Sequence, residues 1–179
     1  FLAMLGPEVI KVEPPGGDKT RDLTGMGSGF FPTFNRAKKS VVVDLSTEVG
    51  RERLEKLLAD ADVFVENFRD ASLARMGLAP DVLKARYPRL IVASCKGFLH
   101  GPYEDRAAMD EVVQMMTGMA YMTGPTGRPM RIGSSAGDIM GGLFAAYGVL
   151  AALWQRLSDG QGHSVRSGLF ETCLLLVAQ

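Results

Sequence analysis

One carboxylate stands out for its setting. Asp138 lies in the segment Ser134-Ser135-Ala136-Gly137-Asp138-Ile139-Met140-Gly141-Gly142, just ahead of a long apolar stretch. Small residues on both sides let a bulky ligand approach the backbone, and a carboxylate can act as a nucleophile toward an acyl group. An Asp ahead of an apolar helix is also a standard N-cap, and the two roles are compatible. The positive end of a helix dipole favours the ionised form that a nucleophile needs.

Other polar groups follow apolar triplets and quartets. Asn67-Phe68-Arg69 comes directly after Val63-Phe64-Val65, and Lys96-Gly97-Phe98 comes shortly after Leu90-Ile91-Val92-Ala93. Ligands of open α/β sheets bind at the carboxyl ends of strands. Two strands would thus each deliver a polar or cationic residue and an aromatic to one rim. Ordinary loop chemistry accounts for the same residues. Arg36, Lys38 and Lys39 stand just before another apolar run. Such a cluster is either a solvated loop or a phosphate contact, and composition alone favours the solvated loop.

Several chemistries find no support. His100 and His163 are the sole histidines; one sits in a Gly-Pro turn and the other at a strand start, so both read as structural or solvated. Gly25-Met26-Gly27-Ser28-Gly29 has part of a dinucleotide fingerprint, but that motif must follow a strand and open a helix. Here a loop precedes it and Phe30-Phe31-Pro32 follows. Walker A, GxSxG and HExxH sequences are absent, and each would have carried its own mechanism. Cys95 and Cys173 are too few for a disulfide scaffold or a cysteine zinc site, so no metal is expected and a reducing, cytoplasmic setting is the default. With 20 Lys and Arg against 20 Asp and Glu, the formal charge is zero. That balance argues against a nucleic-acid binder.

The elements that position these residues alternate along the chain. Strands are expected over 9–12, 40–45, 63–65, 90–93 and 163–167. Helices are expected over 47–59, 80–86, 107–122 with a break near Gly118, and 139–157, with another after 167. The alternation predicts an α/β fold with a mostly parallel sheet flanked by helices. The stretch 139–154 carries no charge, but its sixteen residues are fewer than the ~20 a membrane span needs. A core helix is the better reading, and no membrane partner is expected. Met115, Met116, Met119 and Met122 read as flexible core packing. Residues 14–34 form a long Gly/Pro loop, which marks a functional segment.

Seven segments together carry a resemblance: GPEVIKVEPPGGDKTR (6–21), FNRAKKSVVVDL (34–45), ADVFVENFRDASLARMGL (61–78), PRLIVASCKGF (88–98), GPYEDRAAMDEVVQMMTG (101–118), AGDIMGG (136–142) and ALWQRLSDGQGHSV (152–165). In this order they resemble the class III CoA-transferases of the CaiB/BaiF type. The resemblance implies a Rossmann-like large domain in a homodimer of chains interlocked like linked rings. Residues 1–179 would be a fragment of that CoA-binding domain, with the small domain and a C-terminal return segment absent. The apolar run 174–178 would be an interrupted helix.

The resemblance also implies roles. Asp138 is the catalytic acid, and acyl-CoA and a carboxylic acid are the substrates. Contacts to CoA fall on Asn67, Phe68, Arg75, Met76, Lys96 and Phe98, with Lys38 or Lys39 as a further cation. Backbone near Gly137 would serve an oxyanion. The usual Gly-Pro-Gly after Asn-Phe is replaced by Arg69, Asp70 and Ala71. Acyl-CoA racemases share the fold, but they carry a His where this chain has Met109, and a thioether moves no proton. Gln114 and Lys96 favour the transferase. A non-catalytic acyl-CoA-binding relative is the remaining alternative, against which Asp138 argues.

Overall fold

The computed structural model describes residues 1–178. The described residues gather into two compact units, Phe1–Asp60 and a second that begins at Ala61. Each builds its own sheet, and every strand pair is parallel, as the alternation predicted.

In the first unit, β1 (Val9–Glu13) pairs with β2 (Lys38–Val42), Val9 facing Lys38 and Glu13 facing Val42. The second strand begins two residues before the expected 40–45. Pairing with β1 draws Lys38 and Lys39 into the ladder, and the turn at Asp44 ends it. There Asp44 accepts from the Ser46 amide and hydroxyl, and the Thr47 hydroxyl accepts from Gly50 N at 3.0 Å, opening α2 (Glu48–Asp60). Val42 is 51% exposed, so the three valines are not buried on both faces; Val43 is. In α2 the buried positions are Gly50, Leu54 and Leu58, while Val49 points outward.

The segment 14–34 is more ordered than a long loop. It holds two short 3-10 turns, Lys19–Asp22 and Gly25–Gly27, and the one-turn α1 (Phe30–Phe34). Its anchor is Glu13, which is 2% exposed. That carboxylate accepts from Asp18 N at 2.8 Å, from Arg21 Nε at 2.9 Å and Nη2 at 2.8 Å, and from Ser40 Oγ at 2.7 Å. A buried charge persists only when so paired. Arg21 in turn lies 3.8 Å above the Phe31 ring. Gly16 and Gly17 supply the positive φ values, 90° and 86°, that bend the chain back over Glu13.

In the second unit the strand order is β3 (Val63–Glu66), β4 (Ile91–Lys96), β5 (Ser164–Gly168). The central β4 buries Ile91, Val92, Ala93 and Ser94. Between β3 and β4 run α3 (Asp70–Met76), which the sequence reading did not foresee, and α4 (Pro80–Arg86), which starts on proline as expected. α5 (Asp110–Met116) and α6 (Met119–Thr123) are separated at Gly118, whose φ is 83°. Of the four methionines there only Met119 is buried; Met115, Met116 and Met122 are exposed. The core beneath them joins Met119 to Phe98, Val113 and Cys173.

α7 (Ala136–Asp159) is the long apolar helix, and its start lies three residues before the expected position. Alone among the described elements it has the length and hydropathy to cross a membrane. Its packing differs from that of a wholly buried core helix. One face is a seam of Gly137, Gly141, Ala145, Val149 and Ala152, all buried. A Cβ at Gly148 would fall 2.4 Å from Val165 Cγ1, and one at Gly141 3.2 Å from Leu169 Cδ1. These glycines therefore let the helix approach β5 and α8 (Leu169–Val177) closely. The opposite face leaves Phe144, Tyr147, Leu150, Trp154 and Leu157 exposed, and α8 likewise exposes Leu174, Leu175 and Leu176.

Candidate functional site

Because α7 begins at Ala136, Asp138 sits inside the first helical turn and is not the N-cap. The flanking residue is Ser135, whose side chain makes no capping bond. The cap comes from far away in sequence. Asp110, at the start of α5, accepts from Gly137 N at 2.7 Å and from Asp138 N at 3.4 Å. The free amides of a helix start are thus met by a buried carboxylate, 3% exposed. This corrects the expectation that Gly137 N–H is open for an oxyanion: it already has an anion. Gly137 is required by packing as well, since a Cβ there would meet Cys173 Sγ at 3.0 Å and Asp110 Oδ1 at 3.1 Å. Gly137 and Gly141 thus admit neighbouring protein, whereas Gly142, one turn after Asp138, faces open space.

Asp110 is itself held. Its Oδ2 accepts from Gln114 Nε2 at 2.6 Å. Gln114 is fully buried, accepts from Ile132 N at 2.7 Å and donates to Ser134 O at 3.3 Å. One buried pair, spaced four apart on α5, therefore fixes both the approach segment and the first turn of α7. The sequence reading noticed Gln114 but missed Asp110 as a site residue. The available signal was an Asp and a Gln spaced to share one face of an otherwise apolar helix.

The Asp138 side chain is exposed. Packed atoms around the helix start, and then the carboxylates of Asp110 and Glu111, push its pKa above the ordinary 3.8, with Arg131 pulling the other way. The expected preference for the ionised form is therefore reversed in direction, because desolvation and a second carboxylate outweigh the helix dipole. The same surroundings push the Cys173 thiol up to about 11, burial being the main cause. A thiol there stays protonated and unreactive.

The rim at the carboxyl ends of β3 and β4 differs from its expectation in two places. Lys96 is not a free cation. Its Nζ lies 3.0 Å from Glu66 Oε1 and 2.8 Å from Asp70 Oδ1, and donates to Phe68 O at 2.5 Å. Three donors are all it has, and its side chain is 10% exposed. Phe98 is not at the rim either. It is 4% exposed and packs in the core between Tyr103 and Phe170. Asn67 and Phe68 do stand exposed there, and Phe68 N donates to Glu66 Oε2 at 2.7 Å. Arg75 lies on α3, exposed, its guanidinium bonded to Ser72 Oγ at 2.9 Å, and Met76 closes that helix half-buried. Asp70, where the usual Gly-Pro-Gly is replaced, also pairs with Arg166 of β5.

Lys38 and Lys39 belong to the first unit. Lys38 is half-buried and donates to Asn35 Oδ1 at 3.0 Å; burial and the neighbouring Lys11 lower its pKa. With Arg36, Phe34, Met4 and Phe1 it lines a surface pocket. Lys39 is 70% exposed and pairs with Glu8 at 2.6 Å. Among the described residues no group of three or more His, Cys, Asp or Glu side chains is arranged to hold a metal.

The chain is 40% identical to a formyl-CoA:oxalate CoA-transferase of Streptomyces avermitilis, over 98% of this chain and 44% of that protein. It is 41% identical to a succinyl-CoA–D-citramalate CoA-transferase of Chloroflexus aurantiacus, over 99% of this chain and 46% of the relative. A crystal structure of a CaiB/BaiF family protein from Brucella suis superposes with a TM-score of 0.92 at 38% identity, covering 99% of this chain and 50% of that one. The chain thus spans about half the length of the relatives it matches. The model of CoA-transferase family III matches residues 1–179. By this match over the whole length and by these identities, the chain belongs to CoA-transferase family III.

Proposed function

We propose that the full-length protein moves CoA from an acyl-CoA thioester to a free carboxylic acid, with Asp138 as nucleophile. The carrying observation is an exposed carboxylate whose helix start is locked by buried Asp110 and Gln114, in a chain of this family. A carboxylate oxygen of Asp138 attacks the thioester carbonyl, and the C–S bond breaks to give a mixed anhydride and CoA thiolate. The thiolate then attacks the Asp138 carbonyl of the anhydride, releasing the first acid and leaving an aspartyl-CoA thioester. The incoming acid reverses both steps. Covalent catalysis replaces one difficult exchange with easier ones. The upward direction of the Asp138 pKa fits this role, because a more basic carboxylate is the better nucleophile. Since Gly137 N–H faces Asp110, the donors for each tetrahedral oxyanion come from outside the first turn of α7.

For CoA we assign contacts to Asn67, Phe68, Arg75 and Met76 of the second unit. Lys96 contributes only when a ligand phosphate displaces Asp70. We therefore expect Asp70→Ala in the full-length protein to tighten CoA binding by roughly threefold to tenfold, the size of a partly exposed ion pair. Isothermal titration at two salt concentrations checks it; unchanged affinity would mean that Lys96 is structural. An interlocked homodimer is the assembly we assign to the full-length chain.

The test of the reaction is trapping. Incubation with an acyl-CoA and hydroxylamine is expected to inactivate the full-length protein, with a hydroxamate mapped to Asp138 by peptide mass spectrometry. A racemase would instead exchange the α-hydrogen of acyl-CoA with deuterated solvent and leave Asp138 unmodified. Met109, 61% exposed at the start of α5, supplies no proton for that exchange.

A further inference from the structure

We propose that Asp110 is a positioning residue for the Asp138 nucleophile, fixing the first turn of α7 and closing its backbone donors to the reacting oxygens. This rests on the transferase reading above. Three observations carry it. Asp110 is 3% exposed, so it meets ligand nowhere and acts only through protein. Its Oδ1 takes the amides of Gly137 and Asp138, the residue proposed as nucleophile and the one before it. Its Oδ2 is fixed by Gln114, which also holds Ile132 N and Ser134 O on the segment entering α7. The backbone at Asp138 is therefore bound to a group that cannot itself move: a buried, doubly anchored carboxylate. Orientation of a nucleophile to within a fraction of an ångström is worth large rate factors.

Asp110 also adds negative charge behind the nucleophile. The charged and titratable groups facing Asp138 are Asp110 and Glu111 from α5, Arg131 from the approach segment, and the Cys173 thiol from α8. Of these Asp110 is the strongest charge acting on it, in the direction that holds its proton longer. An ordinary cap comes from the residue just ahead of the helix and lies on solvent; a buried carboxylate from another helix both caps and tunes.

The experiment uses the full-length protein and two readouts. The pH dependence of carbodiimide labelling at Asp138, followed by peptide mass spectrometry, reports on that carboxylate whether or not CoA is transferred. Steady-state kinetics separate kcat from KM. For D110N the labelling midpoint of Asp138 is expected to move to lower pH. Its kcat is expected to fall about 100-fold, with KM for acyl-CoA within about threefold. An unchanged midpoint together with kcat within about threefold of the parent overturns the proposal. Should D110N not fold, Gln114→Leu keeps the charge and frees Oδ2; it must then lower kcat at constant KM, and an unchanged kcat overturns the proposal equally. If the parent itself transfers no CoA, the transferase reading fails, and the labelling midpoint still decides the role of Asp110.

Discussion

Asp138→Ala in the full-length protein is expected to lower kcat for CoA transfer by at least about a thousandfold, the range seen when a covalent nucleophile is deleted. Binding of CoA should stay within about threefold, because Asp138 is exposed and no described ion pair depends on it. Its backbone amide faces Asp110 in either variant, so the helix start survives. Asp138→Asn makes the argument sharper. The amide has the shape of the carboxylate but is a poor nucleophile, so it should be as inactive as alanine. Activity retained in either variant would sink the mechanism. The pH profile follows from the same geometry. The nucleophile must be ionised, and its pKa lies above the ordinary 3.8. Activity should therefore be lost on the acid side, at a higher pH than for an unperturbed aspartate.

The second large effect is structural. Glu13→Ala removes the acceptor for four donors from Asp18, Arg21 and Ser40. Arg21 and Ser40 are exposed and can turn to water, so the loss is the net value of the charge-assisted bonds, about 2 kcal/mol. Hydrogen exchange at the amides of β1 and β2 reads this locally, and their opening free energy should drop by about that amount. Unchanged exchange there would show that the loop holds without its anchor. The sign with pH is fixed. Hydrogen bonds from Arg21, then Ser40 and Asp18, outweigh burial and hold the Glu13 pKa at about 2 against an ordinary 4.5. Its contribution is complete above 4.5 and is lost as pH falls from there toward about 2. Glu13→Gln should remove that acid sensitivity from β1 and β2.

How far the sequence could be read depended on whether a property is local. Short continuous apolar runs located all five strands, and longer apolar or amphipathic stretches the long helices, because burial leaves a local pattern. Pairing does not. Lys38 and Lys39 entered β2 because β1 offered them partners, which no window around them could announce. The same limit governed the site. Asp138 was legible from its own neighbours, yet its true cap was Asp110, 27 residues before the Gly137 amide it holds. Lys96 was legible as a cation at a strand end, but not its neutralisation by Glu66 and Asp70, which lie on other elements. Phe98 was read as a rim aromatic when its pattern, an aromatic shortly after a buried strand, fits a core residue equally well. The glycines divide: Gly137 and Gly141 serve close packing against Cys173 and Leu169 across the seam, while Gly142 stays open, and no local pattern separates them.

The open face of α7 has an optical consequence. The chain contains a single tryptophan, and Trp154 stands 78% exposed on that face, on the same helix that begins at Asp138. Its indole emission is thus a one-site signal: red-shifted and readily quenched by iodide while the helix faces water, blue-shifted and shielded once any surface covers it. The chain carries its own dye on the outer side of the helix whose first turn holds the reactive acid.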